Sequence, residues 1–546
     1  MKRLMFLKYF LLIFTFSIVP IFAFAVSYSG SLPVMYIHTD NKDPIVSKDN
    51  YINATYYIDA MGVENVQNIA SAISPLTLEI KGRGNYSWSG FNKKPYRIKL
   101  GEKQQLLGMK ASKHFALLAH ADDNKGFTRN AIGFQLSKML GMAWTPEAKP
   151  LELVLNGEYQ GLYFLTEIIR VDTDRVNITE QQDEELDPTK VTGGWLVEID
   201  NYDDSPNIKI TEGDGHRIIF TYKSPELLSE EQETFLRDEM MRINQLVYGD
   251  KSSDEIWQYV DIDALAKFYI LQEIVDNYES FHGSCYLYRD RGENMKWQFG
   301  PVWDFGSTFN YDKSQYIYQG REHHMTWIKE FCRFPAFQDH VKEIWNDFYK
   351  NKFDSIFLFT QQHVAILSAA AIADAKRWPN YGNADLSSRV NKVDQYLHSA
   401  AEWLNEKWGN DLPVENDGYN ELAMSSMLVW VNGRPTEYAV ASVDSITFIK
   451  KQGITVRAKV PSTWTDKIYV WIWGEDILAG EYVAEKQGDW YVYTYEGKEL
   501  NIIYKNGTGW TGKHNQTEDI YTTKSECYQL LQSGQNKASA MIIDCE

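Results

Sequence analysis

The stretch DNYESFHGSCYLYRD (276–290), followed after a short polar turn by WQFGPVWDFGSTFNY (297–311), decides how this chain is read. A helix leads into it. Asp261 is the candidate N-cap, and Ile262, Leu265, Phe268, Tyr269, Leu271 and Ile274 cover most of the helix surface, which predicts burial on several sides. A polar loop with Asn277, Glu279, His282 and Ser284 comes next, then a strand from Cys285 to Tyr288 and a turn over 289–294. A second strand, Lys296 to Val302, delivers Trp303-Asp304-Phe305-Gly306. A buried helix, a polar loop and a hairpin with a carboxylate at its far end suit metal–phosphate chemistry.

The spacing sharpens that suggestion. Protein kinases set a catalytic Asp five residues before a metal-binding Asn, and the Asp of a D-F-G triplet follows about twenty residues later. Here Glu279 and Ser284 are five apart, and Asp304 opens a D-F-G twenty residues after Ser284. Taken alone the triplet is weak, because an ordinary hairpin exit with a turn-forming glycine reads the same way.

Composition bounds the function. At 546 residues the chain is long enough for about three domains, and its 17 Trp make aromatic binding surfaces worth seeking. Residues 1–25 resemble an export signal: Lys2, Arg3 and Lys8 form a basic start, residues 10–21 an apolar run, and Ala23-Phe24-Ala25 a cleavage site. Removing them, with three cations and no acids, takes the net charge from −19 to −22. So acidic a chain argues against nucleic acid as a partner, since phosphate neutralisation needs clustered Lys and Arg. No later run of 18 apolar residues predicts a transmembrane anchor, so the expected location is secreted or cell-surface. The four Cys (285, 332, 527 and 545) have no zinc-like spacing, and Cys527 and Cys545 are either a disulfide or two thiols.

Upstream, KGRGNYSWSGFNKKPYRIKLGEK (81–103) holds seven cations against one acid. In it Tyr96, Ile98 and Leu100 alternate with Arg97 and Lys99, so cations line one face of a hairpin whose glycines allow close backbone approach. That is a candidate phosphate cradle, with a solvated hairpin face as the alternative. A helix is predicted over 127–140 with Gly141 at its C-terminal cap, and Asn156-Gly157 is a strong hairpin turn between strands 151–155 and 161–166. Helices dominate from 337 to 408, while adjacent His323 and His324 read as surface residues rather than a metal pair. Beyond 411–413 (Asp-Leu-Pro) short aromatic-rich strands suggest a β-sandwich.

Together these pieces carry a resemblance. KGRGNYSWSGFNKKPYRIKL, FALLAHADDNKGFTRN, GEYQGLYFLTEII, GGWLVEID, FYILQEIVDNYESFHGSCYLY and GPVWDFG occur in the order found in the spore-coat protein H (CotH) kinase family, across residues 33–408. The resemblance implies an α+β fold with a divergent protein-kinase-like domain, a β-rich N-lobe and a helical C-lobe. It implies ATP with Mg or Mn as cofactors, and phosphoryl transfer to Ser or Thr of a protein. It places Asp304 as the metal-binding Asp, Glu279 where the family has its catalytic Asp, and Ser284 where the family has a metal-binding Asn. Arg83 and Asn85 match the family's R-G-N, and Lys94 or Lys99 is the expected contact to ATP phosphates. Glu279 keeps a carboxylate with one more methylene, and Ser284 offers a hydroxyl where Mg²⁺ prefers well-placed hard oxygens.

The segment 453–520 resembles starch-binding carbohydrate-binding modules, through KIYVWIWGEDILAGEYV and DWYVYTYEGKELNIIYKNGTGW. Tyr469, Trp471 and Trp473 alternate along one strand and so share one face, offering flat rings to a glucan-type polysaccharide. The expected domains are a signal peptide at 1–25, the kinase-like domain at 26–410, a linker with short strands at 411–449 and an all-β sandwich at 450–546. Two alternatives to an exported kinase stand: a kinase-fold scaffold or adhesin without turnover, and a glycan-binding protein acting through its C-terminal module.

Overall fold

The computed structural model describes residues 28–320, 323–409, 426–431, 434–439 and most of 453–545. The expected signal at 1–25 and most of the linker at 411–449 lie outside the described residues. The chain is mixed α+β and divides into two units, 1–440 and 441–546.

The first unit begins with a closed barrel. Its strands are β1 (Val34–Thr39), β2 (Ile52–Asp59), β3 (Leu76–Gly82), β4 (Tyr96–Gln104), β5 (Ser112–Leu118), β6 (Ala148–Leu155) and β7 (Glu158–Glu167). They run β1-β2-β3-β4-β5-β7-β6, and the parallel pairing of β6 with β1 closes the ring. A short helix α1 (Tyr86–Ser89) lies between β3 and β4, and α2 (Arg129–Met139) between β5 and β6. The period-two pattern of β4 explains the interior: Tyr96, Ile98 and Leu100 are buried with Ile80, Phe115 and Leu153. Asn156 and Gly157 take φ of +54° and +87°, the left-handed pair that a tight β6–β7 turn needs.

A five-stranded sheet follows, ordered β12-β11-β8-β10-β9. Its strands are β8 (Trp195–Ile199), β9 (Asn207–Thr211), β10 (Arg217–Ser224), β11 (Cys285–Arg289) and β12 (Gln298–Phe299). The second hairpin strand, expected over 296–302, pairs only at Gln298 and Phe299. Gly300-Pro301 ends it, since proline has no N–H to offer the ladder. The helices are α3 (Glu230–Val247), α4 (Ile262–Val275), α5 (Ile328–Phe331), α6 (Pro335–Asn351), α7 (Ser355–Arg377) and α8 (Leu386–Trp408). Asp261 caps α4 by accepting from the Ala264 N–H at 2.9 Å, and α4 is buried on nearly every side. Among the described helices only α7 is long and apolar enough to cross a bilayer. Its Leu367, Ala370 and Ala371 pack on Leu162 and Phe164 of β7.

A hairpin of β13 (Ser426–Val431) and β14 (Arg434–Ala439) closes the first unit. The second unit is β-rich: β15 (Ile454–Lys459), β16 (Ile468–Gly474), β17 (Ile477–Val483), β18 (Glu485–Gln487), β19 (Trp490–Tyr495), β20 (Leu500–Asn506), β21 (Gln516–Thr517), β22 (Ile520–Thr522), β23 (Glu526–Gly534) and β24 (Lys537–Ile543). In place of two separate sheets, these strands link into one hydrogen-bonded path, β17-β16-β20-β21-β24-β23-β15-β19-β18, with β22 beside β20. Inward residues such as Val456, Val470, Ile502, Tyr504 and Leu530 form its core. Cys527 and Cys545 are joined as a disulfide, and Cys285 and Cys332 are free thiols.

Candidate active site

The site is built where α4 ends. Asp276 takes a left-handed conformation (φ 50°, ψ 49°) and turns the chain from the helix into the loop 277–283. Asn277 fastens that loop: its side-chain N–H₂ donates to Gln272 Oε1 at 3.0 Å and to the backbone carbonyl of Asp304 at 3.2 Å. The catalytic-loop candidate and the D-F-G candidate are therefore one hydrogen-bonded assembly.

α2 holds the other side of Asp304. Asn130 Oδ1 accepts from the Phe305 N–H at 3.1 Å, while the Arg129 guanidinium donates to the Gly306 carbonyl and to Asn310 Oδ1. Phe305 is fully buried against Gly133, where an added Cβ would stand 2.3 Å from its ring. Only glycine lets helix and ring come this close. Thus held, Asp304 takes φ of +52°, and its carboxylate accepts from the Gly306 N–H at 3.1 Å. Ser284, Phe309, His120 and Phe127 are also left-handed. Bulky side chains rarely accept that conformation, and such strain gathers at sites that use it.

The charges around Asp304 define the chemistry. Its side chain reaches solvent while protein packs closely around it. Burial raises its pKa most; the Glu279 and Asp122 carboxylates raise it further, while the Gly306 N–H and Arg83 oppose them. A Cβ placed on Gly306 would lie 3.2 Å from Asp304 Oδ1 and 3.9 Å from Asp122 Oδ2, so these two carboxylates flank one small space. The Arg83 guanidinium stacks over the Trp303 ring at 5.6 Å. Glu279 is held by Tyr202, whose hydroxyl donates to Oε1 at 2.7 Å, by the Ser307 hydroxyl on Oε2, and by His323 Nε2 at 3.3 Å from Oε1.

The structure thus brings together Glu279, Asp304 and Arg83 among the residues singled out from sequence. It separates the others. Lys99 points outward from the barrel and pairs with Glu79 at 2.9 Å, its cross-strand neighbour on β3. Lys94 donates to the Trp88 carbonyl and sits over the Trp88 ring, closing its own hairpin. These two are the lysines expected to contact phosphate. Their ammonium groups are engaged on the barrel side, and the cation beside Asp304 is Arg83. Asn85 is exposed and its Oδ1 accepts from Lys48 at 2.7 Å. Ser284 stands at the foot of β11, and no hydrogen bond joins it to Asp304 or Glu279 among the described contacts.

Asp122 is the residue that sequence reading passed over. It was visible only as part of an acidic lead-in to α2, with nothing local to mark it as a ligand. Asp304 and Asp122 flank one small space, with the Glu279 carboxylate and the Arg83 guanidinium near enough to act on Asp304, and these hard oxygen donors fit Mg²⁺ or Mn²⁺. In the second unit, Tyr469, Trp471 and Trp473 lie half-buried on the face opposite the core residues Ile468, Val470 and Ile472. Their cross-strand partners on β20 are Lys505 and Ile503, both buried, and Asn501.

Against known proteins, the family model described as CotH kinase protein matches residues 80–404. No curated protein matches the chain.

Proposed function

The chain belongs to the CotH kinase family, and from that premise we propose that it is an exported protein kinase, transferring the γ-phosphoryl group of ATP to Ser or Thr hydroxyls of surface or secreted proteins. The observation that carries this reading is the pairing of the Asp304 and Asp122 carboxylates across one small space, with Glu279 and Arg83 acting on Asp304. A divalent ion bound there neutralises charge on the transferring phosphoryl group. Asp304 and Asp122 are the residues to hold it, and Arg83 the residue to pair with phosphate oxygens. Glu279 orients the acceptor hydroxyl and accepts its proton. For that it must exchange one of its present donors, Ser307 or Tyr202, for the acceptor. Phosphoryl transfer depends chiefly on positioning and electrostatics, which the anchored loops 277–283 and 304–310 supply. The basic start, apolar run and Ala23-Phe24-Ala25 in residues 1–25 support an activity outside the cytoplasm.

One observation favours a second reading, nucleotide binding without transfer. Ser284 makes no hydrogen bond to Asp304 or Glu279 among the described contacts, and Glu279 already has Tyr202, Ser307 and His323 against it. A single experiment separates the two. The purified chain is incubated with γ-labelled ATP, Mg²⁺ or Mn²⁺ and a Ser-rich acceptor, beside Asp304→Ala. Label on the acceptor above the Asp304→Ala level supports the kinase; nucleotide binding with no label above that level supports the second reading.

A further inference from the structure

We infer that Asp214, His216 and His324 form a binding site for a transition-metal dication of the zinc class, separate from the carboxylate cluster around Asp304. The donor atoms of these three residues all lie within 4.8 Å of one another. His216 Nδ1 is 3.0 Å from Asp214 Oδ1, and His324 Nε2 is 4.0 Å from Asp214 Oδ2. Zinc bound at about 2.0–2.2 Å to each donor needs them about 3.3 Å apart in a tetrahedron. Reaching that spacing takes a rotation of the exposed His216 and Asp214 side chains. The two imidazoles stack at 3.8 Å with a 5° interplanar angle, and because a metal lies in the plane of each ligating ring, the exposed His216 ring turns out of this stack to bind it.

A second, buried carboxylate stands behind His324. Glu212 is buried, and its carboxylate accepts from His324 Nε2 at 2.6 Å, from the Trp327 N–H at 2.9 Å and from the Tyr248 hydroxyl at 3.2 Å. That hydrogen bond uses the same nitrogen that faces Asp214, so a metal on His324 Nε2 displaces it and leaves the buried Glu212 carboxylate close by as a charge-balancing oxygen donor. Two imidazoles and a carboxylate select zinc, copper or nickel over Mg²⁺ and Ca²⁺, which take all-oxygen shells. The ligands come from two distant segments: the tip of the β9–β10 hairpin, and the strip after residue 322 that leads to α5. A metal here ties those segments together.

That tie has a direction. His323, the neighbour of His324, stacks on His282 at 4.7 Å and approaches Glu279 Oε1 at 3.3 Å, while the His324 carbonyl lies 3.0 Å from His282 Nδ1. Metal occupancy at the hairpin therefore fixes the strip that backs the Glu279 loop. The site stands whether or not the chain transfers phosphate.

The test measures metal and not activity. Full-length Asp304→Ala protein, stripped with a chelator so that the carboxylate cluster cannot supply the signal, is titrated with zinc against a chromophoric competitor. We expect one zinc per chain with micromolar or tighter affinity, and a rise in melting temperature on loading. Adding His216→Ala or Asp214→Ala, both at exposed positions, should weaken binding about tenfold or more and abolish that rise. His323→Ala should leave zinc affinity unchanged. Parent protein that fails to bind at micromolar zinc, or a His216→Ala/Asp214→Ala double variant that binds as tightly as the parent, overturns the assignment.

Discussion

Arg83 shows what one side chain decides. It follows the last residue of β3, its backbone N–H donates to the Pro95 carbonyl, and its guanidinium lies over Trp303 beside Asp304. Lys99 lies two strand residues beyond Arg97 on the outer face of the barrel, where alternation leaves it to pair with Glu79. The two cations are therefore not equivalent. Arg83→Met should lower phosphate transfer by about a hundredfold or more, as loss of a cation from a water-poor transition-state site does. Lys99→Met and Lys94→Met should leave transfer within about threefold. Initial rates of labelled acceptor formation, with melting temperatures as the folding control, check both. Equal losses for all three would remove Arg83 from the site.

Among the elements, α7 is the one that fastens the helical part to the barrel. Lys93 and Asp374 form an ion pair at 2.6 Å with both side chains almost fully buried, and Asp374 also accepts from the Leu162 N–H on β7. Burial lowers the Lys93 pKa, and Asp374 opposes that shift. A buried pair contributes little beyond an apolar replacement, but removing one partner leaves a lone charge. Lys93→Met should thus destabilise the fold by about 3–5 kcal/mol in denaturant melts. Lys93→Met with Asp374→Leu should recover much of the loss. The same helix carries His363, whose Nε2 lies 2.8 Å from the Gly126 carbonyl and whose pKa burial lowers to about 4. A histidine depressed on folding withholds no stability above its unfolded pKa near 6.5, and stability is lost as pH falls from there towards 4. Wild-type protein should therefore melt at lower temperature at pH 5 than at pH 7.5. His363→Gln should flatten that slope, and thermal melts across the range check it.

At the scale of the whole molecule, two β-rich regions carry aromatic residues to opposite effect. In the barrel Tyr56 and Tyr163 are buried as core. In the second unit Tyr469, Trp471 and Trp473 alternate with core residues and remain half-buried on the other face. Beside them the buried Lys505 pairs with Glu481, and the half-buried rings are the part of this face that sugar rings can stack on. We propose that this face takes a glucan-type polysaccharide. Affinity electrophoresis of the full chain in starch should show retardation that Trp471→Ala reduces; unretarded migration of the wild type counts against the proposal.

Local chemistry was written plainly in the chain. The Asp261 cap, the Asn156-Gly157 turn and the in–out alternation of β4 each follow from residues within a few positions of one another, because caps, turns and pleats are set by the backbone over that distance. The D-F-G triplet and its spacing from Glu279 were legible for the same reason. Which cation and which second carboxylate meet Asp304 was not legible. Sequence could say that Lys99 lies on a face, but whether that face looks into a cleft or away from a closed barrel depends on how β6 pairs with β1. Asp122 and the Glu212–Asp214–His216–His324 cluster depend on segments tens to hundreds of residues apart, joined by packing of α2 on the loop after β12 and of a hairpin tip on the strip before α5. Short-range pattern determined the elements; only the tertiary structure decided which charges share a space.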